Sequence, residues 1–107
     1  MASLNVCKAE IVNGVAYVDI DIVGGELRVS GQDLADYEYE YFYSLSRLDT
    51  TKLLEKLCEE TGAKPRIIAD KLIMIRDYFG EGLDFCKNMR EYCDANEIKY
   101  KFFSMRH

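Results

Sequence analysis

Two stretches of the chain alternate an apolar or aromatic residue with a charged one: Tyr37-Glu38-Tyr39-Glu40-Tyr41-Phe42-Tyr43 and Ile98-Lys99-Tyr100-Lys101-Phe102-Phe103. Successive side chains of a strand point to opposite faces, so each pattern predicts a strand with one buried and one wet face. The same period runs from 15 to 23, where Ala16, Val18, Ile20 and Ile22 alternate with Val15, Tyr17, Asp19 and Asp21. The aspartates assign the second set to solvent. A preceding strand over 4–12 turns Cys7, Ala9 and Ile11 inward and Lys8 and Glu10 outward. Asn13-Gly14 predicts the hairpin turn between these two strands, because a type I′ turn needs positive φ twice. Gly24-Gly25 leads into a third strand, Glu26 to Ser30, with Leu27 and Val29 inward, and Gly31-Gln32-Asp33 reads as the next turn. The fourth strand is expected at about 37–45.

The period then changes to that of a helix. Asp49 is a good N-cap with Ser46 as a competitor, and Leu53, Leu54, Leu57 and Cys58 form an apolar stripe that ends at Gly62. Pro65 suits the first turn of a second helix, in which Ile68, Leu72, Ile75 and Phe79 follow helical spacing up to Gly80. A third helix, about 82–95, buries Leu83, Phe85, Cys86, Met89, Tyr92 and Cys93, and 98–104 return to strand. The expected core includes Leu54, Leu57, Ile68, Leu72, Ile75, Met89 and Phe102.

The order β-β-β-β-α-α-α-β predicts an α+β fold, one domain over 1–107. Its sheet is expected to be five-stranded, mixed and mainly antiparallel, with three helices on one face. The mixed character comes from the last strand. Parallel pairing with the fourth matches Glu38 to Lys99, Glu40 to Lys101 and Phe42 to Phe103. Antiparallel pairing can match Glu40 to Lys101, but it then sets Phe42 against Lys99 and Glu38 against Phe103, and three antiparallel helices would return the chain in the parallel direction.

At 107 residues the chain has room for one hydrophobic core. The longest apolar run, Leu72 to Ile75, is far too short to span a bilayer. Residues 1–5 lack a basic region followed by an apolar one, so a cytoplasmic protein without a secretory signal is expected. The net charge of −5 is unevenly distributed. Residues 1–45 hold eight acids against Lys8 and Arg28, while 46–107 are nearly balanced. An acidic N-terminal half argues against nucleic acid, which needs a basic footprint, and favours a basic partner.

Little in the sequence points to catalysis. Asp19 and Asp21 share a strand face roughly 7 Å apart, a spacing that paired carboxylates use in metal sites and glycosidases. Nothing marks a third ligand, however, and a solvated face or an acidic recognition patch is the simpler reading. The lone histidine, His107, is the last residue, so general acid–base chemistry and an activated cysteine both lack a partner. Cys7, Cys58, Cys86 and Cys93 show no Cys-x-x-Cys spacing and are expected to be reduced. Ser30-Gly31-Gln32-Asp33 is no phosphate cradle. No catalytic, cofactor-binding or metal-ligating residue is therefore expected. Tyr37, Tyr39, Tyr41, Tyr43 and Tyr100 fit a core under the helices, or a surface where some remain exposed. Phe42 and Phe103 fall on the wet face, an aromatic pair that needs either a cover or a partner.

The run Tyr41 to Leu57 (YFYSLSRLDTTKLLEKL), with Tyr92 to Ser104 (YCDANEIKYKFFS), resembles small bacterial immunity-type proteins encoded beside polymorphic or contact-dependent toxin genes. The resemblance implies a small, cytoplasmic, non-enzymatic protein that blocks a toxin domain by direct binding. Combined with the charge pattern, it makes Tyr17, Asp19, Asp21, Glu38, Glu40 and Phe42, with Asp33 and Asp36 from the adjoining loop, the expected partner-binding face. The expected partner is a basic protein, not nucleic acid or membrane, and either a monomer or a homodimer is compatible with the pattern. The alternative reading is a small-ligand or regulatory domain with a tyrosine-lined pocket between sheet and helices.

Overall fold

A computed structural model describes residues 3–35 and 38–106. The strands are β1 (Leu4–Ile11), β2 (Gly14–Val23), β3 (Glu26–Leu34), β4 (Glu38–Ser44) and β5 (Lys101–Arg106). The helices α1 (Arg47–Thr61), α2 (Ile68–Phe79) and α3 (Phe85–Ala95) lie between β4 and β5 in sequence. The sheet runs in the order β1-β2-β3-β4-β5, and every neighbouring pair is antiparallel. The fold is α+β, as the element order predicts.

The alternation of β2 sets the two faces. Ala16, Val18, Ile20 and Ile22 are buried, and their cross-strand partners continue the same face through Cys7 and Ala9 on β1 and Leu27, Val29 and Gly31 on β3. Helices α1 and α2 pack on this side, against β3 and against β1 and β2 respectively. Leu53, Leu57, Leu72, Ile75, Phe85 and Met89 complete a core with almost no exposed surface. Each such side chain contributes about 1.5–3 kcal/mol by leaving water. Leu54 packs at the margin of this core.

Local chemistry explains the helix ends. Ser46, not Asp49, is the N-cap of α1: its Oγ accepts from the Asp49 N–H at 3.1 Å and donates to the Asp49 carboxylate at 2.9 Å. Gly62 ends α1 in the left-handed conformation. Helix α2 starts at Ile68, three residues beyond Pro65, which belongs to the connection. Ile68 accordingly lies at the helix start and is 44% exposed, and Leu83, ahead of α3, is also exposed.

Three strand expectations are corrected. The β1–β2 turn is centred on Val12–Asn13, and only Asn13 has positive φ (62°). Gly14 is required for another reason: a Cβ there would come within 1.8 Å of the Leu34 carbonyl oxygen. Gly31-Gln32-Asp33 is not a turn, because β3 runs through it. Gly31 is a slot beneath an aromatic ring, where a Cβ would approach the Tyr41 side chain to 2.0 Å.

The third correction is the direction of β5. It pairs with β4 antiparallel, Ser44 opposite Lys101 and Tyr39 opposite Arg106, so Glu38 does not face Lys99 and Glu40 faces Met105 rather than Lys101. The sheet is therefore wholly antiparallel, not mixed. The path of the chain decides this. Helix α3 ends in a tight reversal, with Glu97 left-handed (φ 56°) and the Ile98 N–H bonded to the Cys93 carbonyl at 2.9 Å. The Lys99 N–H then donates to the Asp49 carboxylate at 3.1 Å, returning the chain to the end of β4 it had left. Cross-strand charge pairs are each worth a few tenths of a kcal/mol and do not override that geometry. Phe42 still lies opposite Phe103, because the antiparallel register is offset by four residues from the one that would match Glu40 to Lys101 and Phe42 to Lys99.

Candidate protein-interaction face

Three cross-strand rows form the middle of the sheet face opposite the helices. One runs Asn5, Asp19, Ser30, Phe42, Phe103; the next Lys8, Tyr17, Gln32, Glu40, Met105; the third Asp21, Arg28, Ser44, Lys101. Glu38 lies on the same face at the start of β4, opposite Leu34. Six of the residues expected at a partner site, Tyr17, Asp19, Asp21, Glu38, Glu40 and Phe42, thus share one surface. Strict strand alternation brings them together across β2 and β4, with β3 between.

Several of these side chains are held by neighbours. The Asn5 amide donates to the Asp19 carboxylate at 3.0 Å and also reaches the Cys7 carbonyl at 2.9 Å. Gln32 donates to Glu40 at 3.5 Å. Arg28 sits 3.5 Å from Glu26, both largely exposed, a pair worth under about 1 kcal/mol. The Phe42 and Phe103 rings stack at 6.2 Å with 27° between their planes, and Phe103 remains 58% exposed. The stacked aromatic pair lies between a row that holds Glu40 and Met105 and a row that holds Ser44 and Lys101.

Asp33 does not belong to it. Its strand partners are Ala16 and Tyr39, both of the helix-facing set, and it lies close enough to Cys7 and Tyr41 to raise their proton affinities. Asp36 falls outside the described residues. The face also holds Asn5, Arg28, Lys101, Phe103 and Met105, which the acidic pattern alone does not select. Phe103 and Met105 are visible in the sequence only as the wet set of β5, and their neighbours follow from the observed register.

On the helix side Tyr43 belongs to the core and Tyr41 and Tyr100 pack against it, while Tyr100 also borders open clefts of about 800 and 430 Å³. Tyr43 is buried, with its ring 4.9 Å from Phe102, 5.9 Å from Tyr100 and 5.9 Å from the Arg90 guanidinium. Tyr41 lies over Gly31, and burial pushes its hydroxyl well above the usual tyrosine range. Phe102 contacts Tyr43 but is 51% exposed, because the helical layer stops short of β5. It is not core.

The remaining titratable groups are structural in their contacts. Burial raises the Cys86 thiol to about 11 and the Cys93 thiol to about 12, which makes both poor nucleophiles at neutral pH. All four cysteines are free thiols. The Glu60 carboxylate accepts from the hydroxyls of Tyr92 and Tyr78, joining α1 to α3 and α2, and these bonds hold its carboxyl below the usual range. Tyr78 also borders an open cleft of about 620 Å³ with Lys64, Pro65, Ile73 and Met74. Among the described residues no three His, Cys, Asp or Glu side chains converge as metal ligands would. None of their helices is long and apolar enough to cross a membrane. Compared with protein-family models, curated proteins and solved structures, the chain matches none.

Proposed function

We propose that this chain is a non-enzymatic binding protein of the immunity or inhibitor kind. On this reading it works in the cytoplasm and neutralises a more basic protein partner, such as a toxin domain, by docking it on the outer face of the sheet. One observation carries the reading: among the described residues no helix covers that face, and it holds Asp19, Asp21, Glu38 and Glu40 on the same surface as the Phe42–Phe103 stack. Aromatic side chains at the centre of a contact supply most of its binding energy once water is excluded, and the surrounding charges select the partner and speed encounter. The sequence resemblance to immunity-type proteins points the same way.

The test uses a basic toxin-domain product encoded beside this gene. Asp19→Asn combined with Asp21→Asn leaves the fold intact, since both side chains lie on the wet face. It should slow association about tenfold at low salt and much less at high salt, where screening already removes the attraction. Phe42→Ala should instead speed dissociation. Kinetics unchanged in both variants would move the interface elsewhere.

A further inference from the structure

The two edges of the sheet are built differently. On β1 the ladder is interrupted by a bulge between Asn5 and Cys7, and the Val6 carbonyl accepts from the Gly82 N–H at 2.8 Å, so the loop after α2 closes part of that edge. Among the described residues β5 has neither bulge nor cover. Its six residues, Lys101–Arg106, are all exposed, with Phe102 on one face and Phe103 on the other. A regular, aromatic strand at the end of the sheet order is a template for another strand.

We propose that β5 pairs antiparallel with β5 of a second copy of this chain, with Phe103 on the two-fold axis, joining two sheets into one of ten strands. An antiparallel pair about a two-fold axis keeps the helices of both copies on the same side, so a residue must sit opposite itself. Centring on Phe103 sets Lys101 opposite Met105 of the second copy, Phe102 opposite Ser104, and Tyr100 opposite Arg106. No cation then faces a cation, although β5 carries one near each end. Each large Phe102 ring meets a small serine, which in turn lies beside Tyr41.

The wet face gains the most. The Phe42–Phe103 stack continues into Phe103 and Phe42 of the second copy, a row of four rings. Lys101 of the second copy extends the row that runs through Met105 to Glu40, about 10 Å or two strand spacings away. Because the β1 edges are blunted, the assembly closes as a dimer and does not grow into a fibre. A single strand pair is a small interface, so a dissociation constant in the micromolar range is expected. The inference does not depend on what the acidic face binds.

Sedimentation equilibrium of the whole chain from about 1 to 200 µM should follow a monomer–dimer equilibrium. Phe103→Lys, which sets two cations against each other on the axis, should weaken it at least tenfold with unchanged circular dichroism. Register is read by disulfide trapping against the parent chain. Directly opposed Cα atoms are about 4.5–5.5 Å apart, within reach of a disulfide, so Phe103→Cys should oxidise to a covalent dimer. Met105→Cys should not, since four residues of offset separate the two copies by about 14 Å. A monomer across the whole range, a dimer indifferent to Phe103→Lys, or faster trapping at 105 than at 103 would each overturn the proposal.

Discussion

Thr50 carries a buried hydroxyl whose bonds tie α1 to β3 and to the junction that follows β4. Its Oγ1 accepts from the Leu27 N–H of β3 at 2.9 Å and donates to the Leu45 carbonyl at 3.2 Å. Thr50→Val keeps the shape but strands both backbone groups, so chemical denaturation should show a loss of about 1–3 kcal/mol. Nothing in the sequence distinguishes Thr50 from Thr51, its exposed neighbour; only the packing of α1 on β3 does. Glu60 makes a pH-dependent prediction. Its carboxyl titrates lower in the folded chain than in the unfolded one, so its contribution is present above the unfolded value and lost as pH falls through the folded value. The stability difference between the parent chain and Glu60→Gln should therefore shrink as the pH falls below the ordinary carboxylate range, as urea titrations at several pH values would record. For the thiols, burial of Cys7, Cys86 and Cys93 predicts that iodoacetamide labels half-buried Cys58 first in the native chain.

At the scale of elements, the alternating strands and the striped helices were legible because period alone separates them. What escaped were features whose cause lies elsewhere in the chain. Gly31 followed by Gln32 and Asp33 has the composition of a turn, yet the glycine serves the Tyr41 ring that crosses it from β4. That single misreading also misplaces Asp33: in an unbroken β3 it has the parity of Leu27 and Val29, and so points inward. The direction of β5 was hidden for a similar reason, since the reversal at Glu97 and the Lys99–Asp49 bond are tertiary. Leu72 tests the helical layer. It is a core residue of α2, 1% exposed, and Leu72→Ala should cost about 2–5 kcal/mol; a change below about 0.5 kcal/mol would mean α2 does not pack as described.

The whole molecule is a two-layer structure with one side of its sheet left without helices. The alternation of acids and aromatics showed which residues share that side, but only the register showed that Phe42 and Phe103 stack amid Asp19, Glu40 and Met105. The central claim is that this side binds a basic protein. Amide chemical-shift mapping of the isotope-labelled chain, titrated with the basic toxin-domain product of an adjacent gene, tests it most directly. The account predicts that the largest shifts fall on Tyr17, Asp19, Asp21, Glu40 and Phe42. Shifts confined to the helical layer, around Leu48, Ile73 and Tyr78, with the sheet face unchanged, would contradict it.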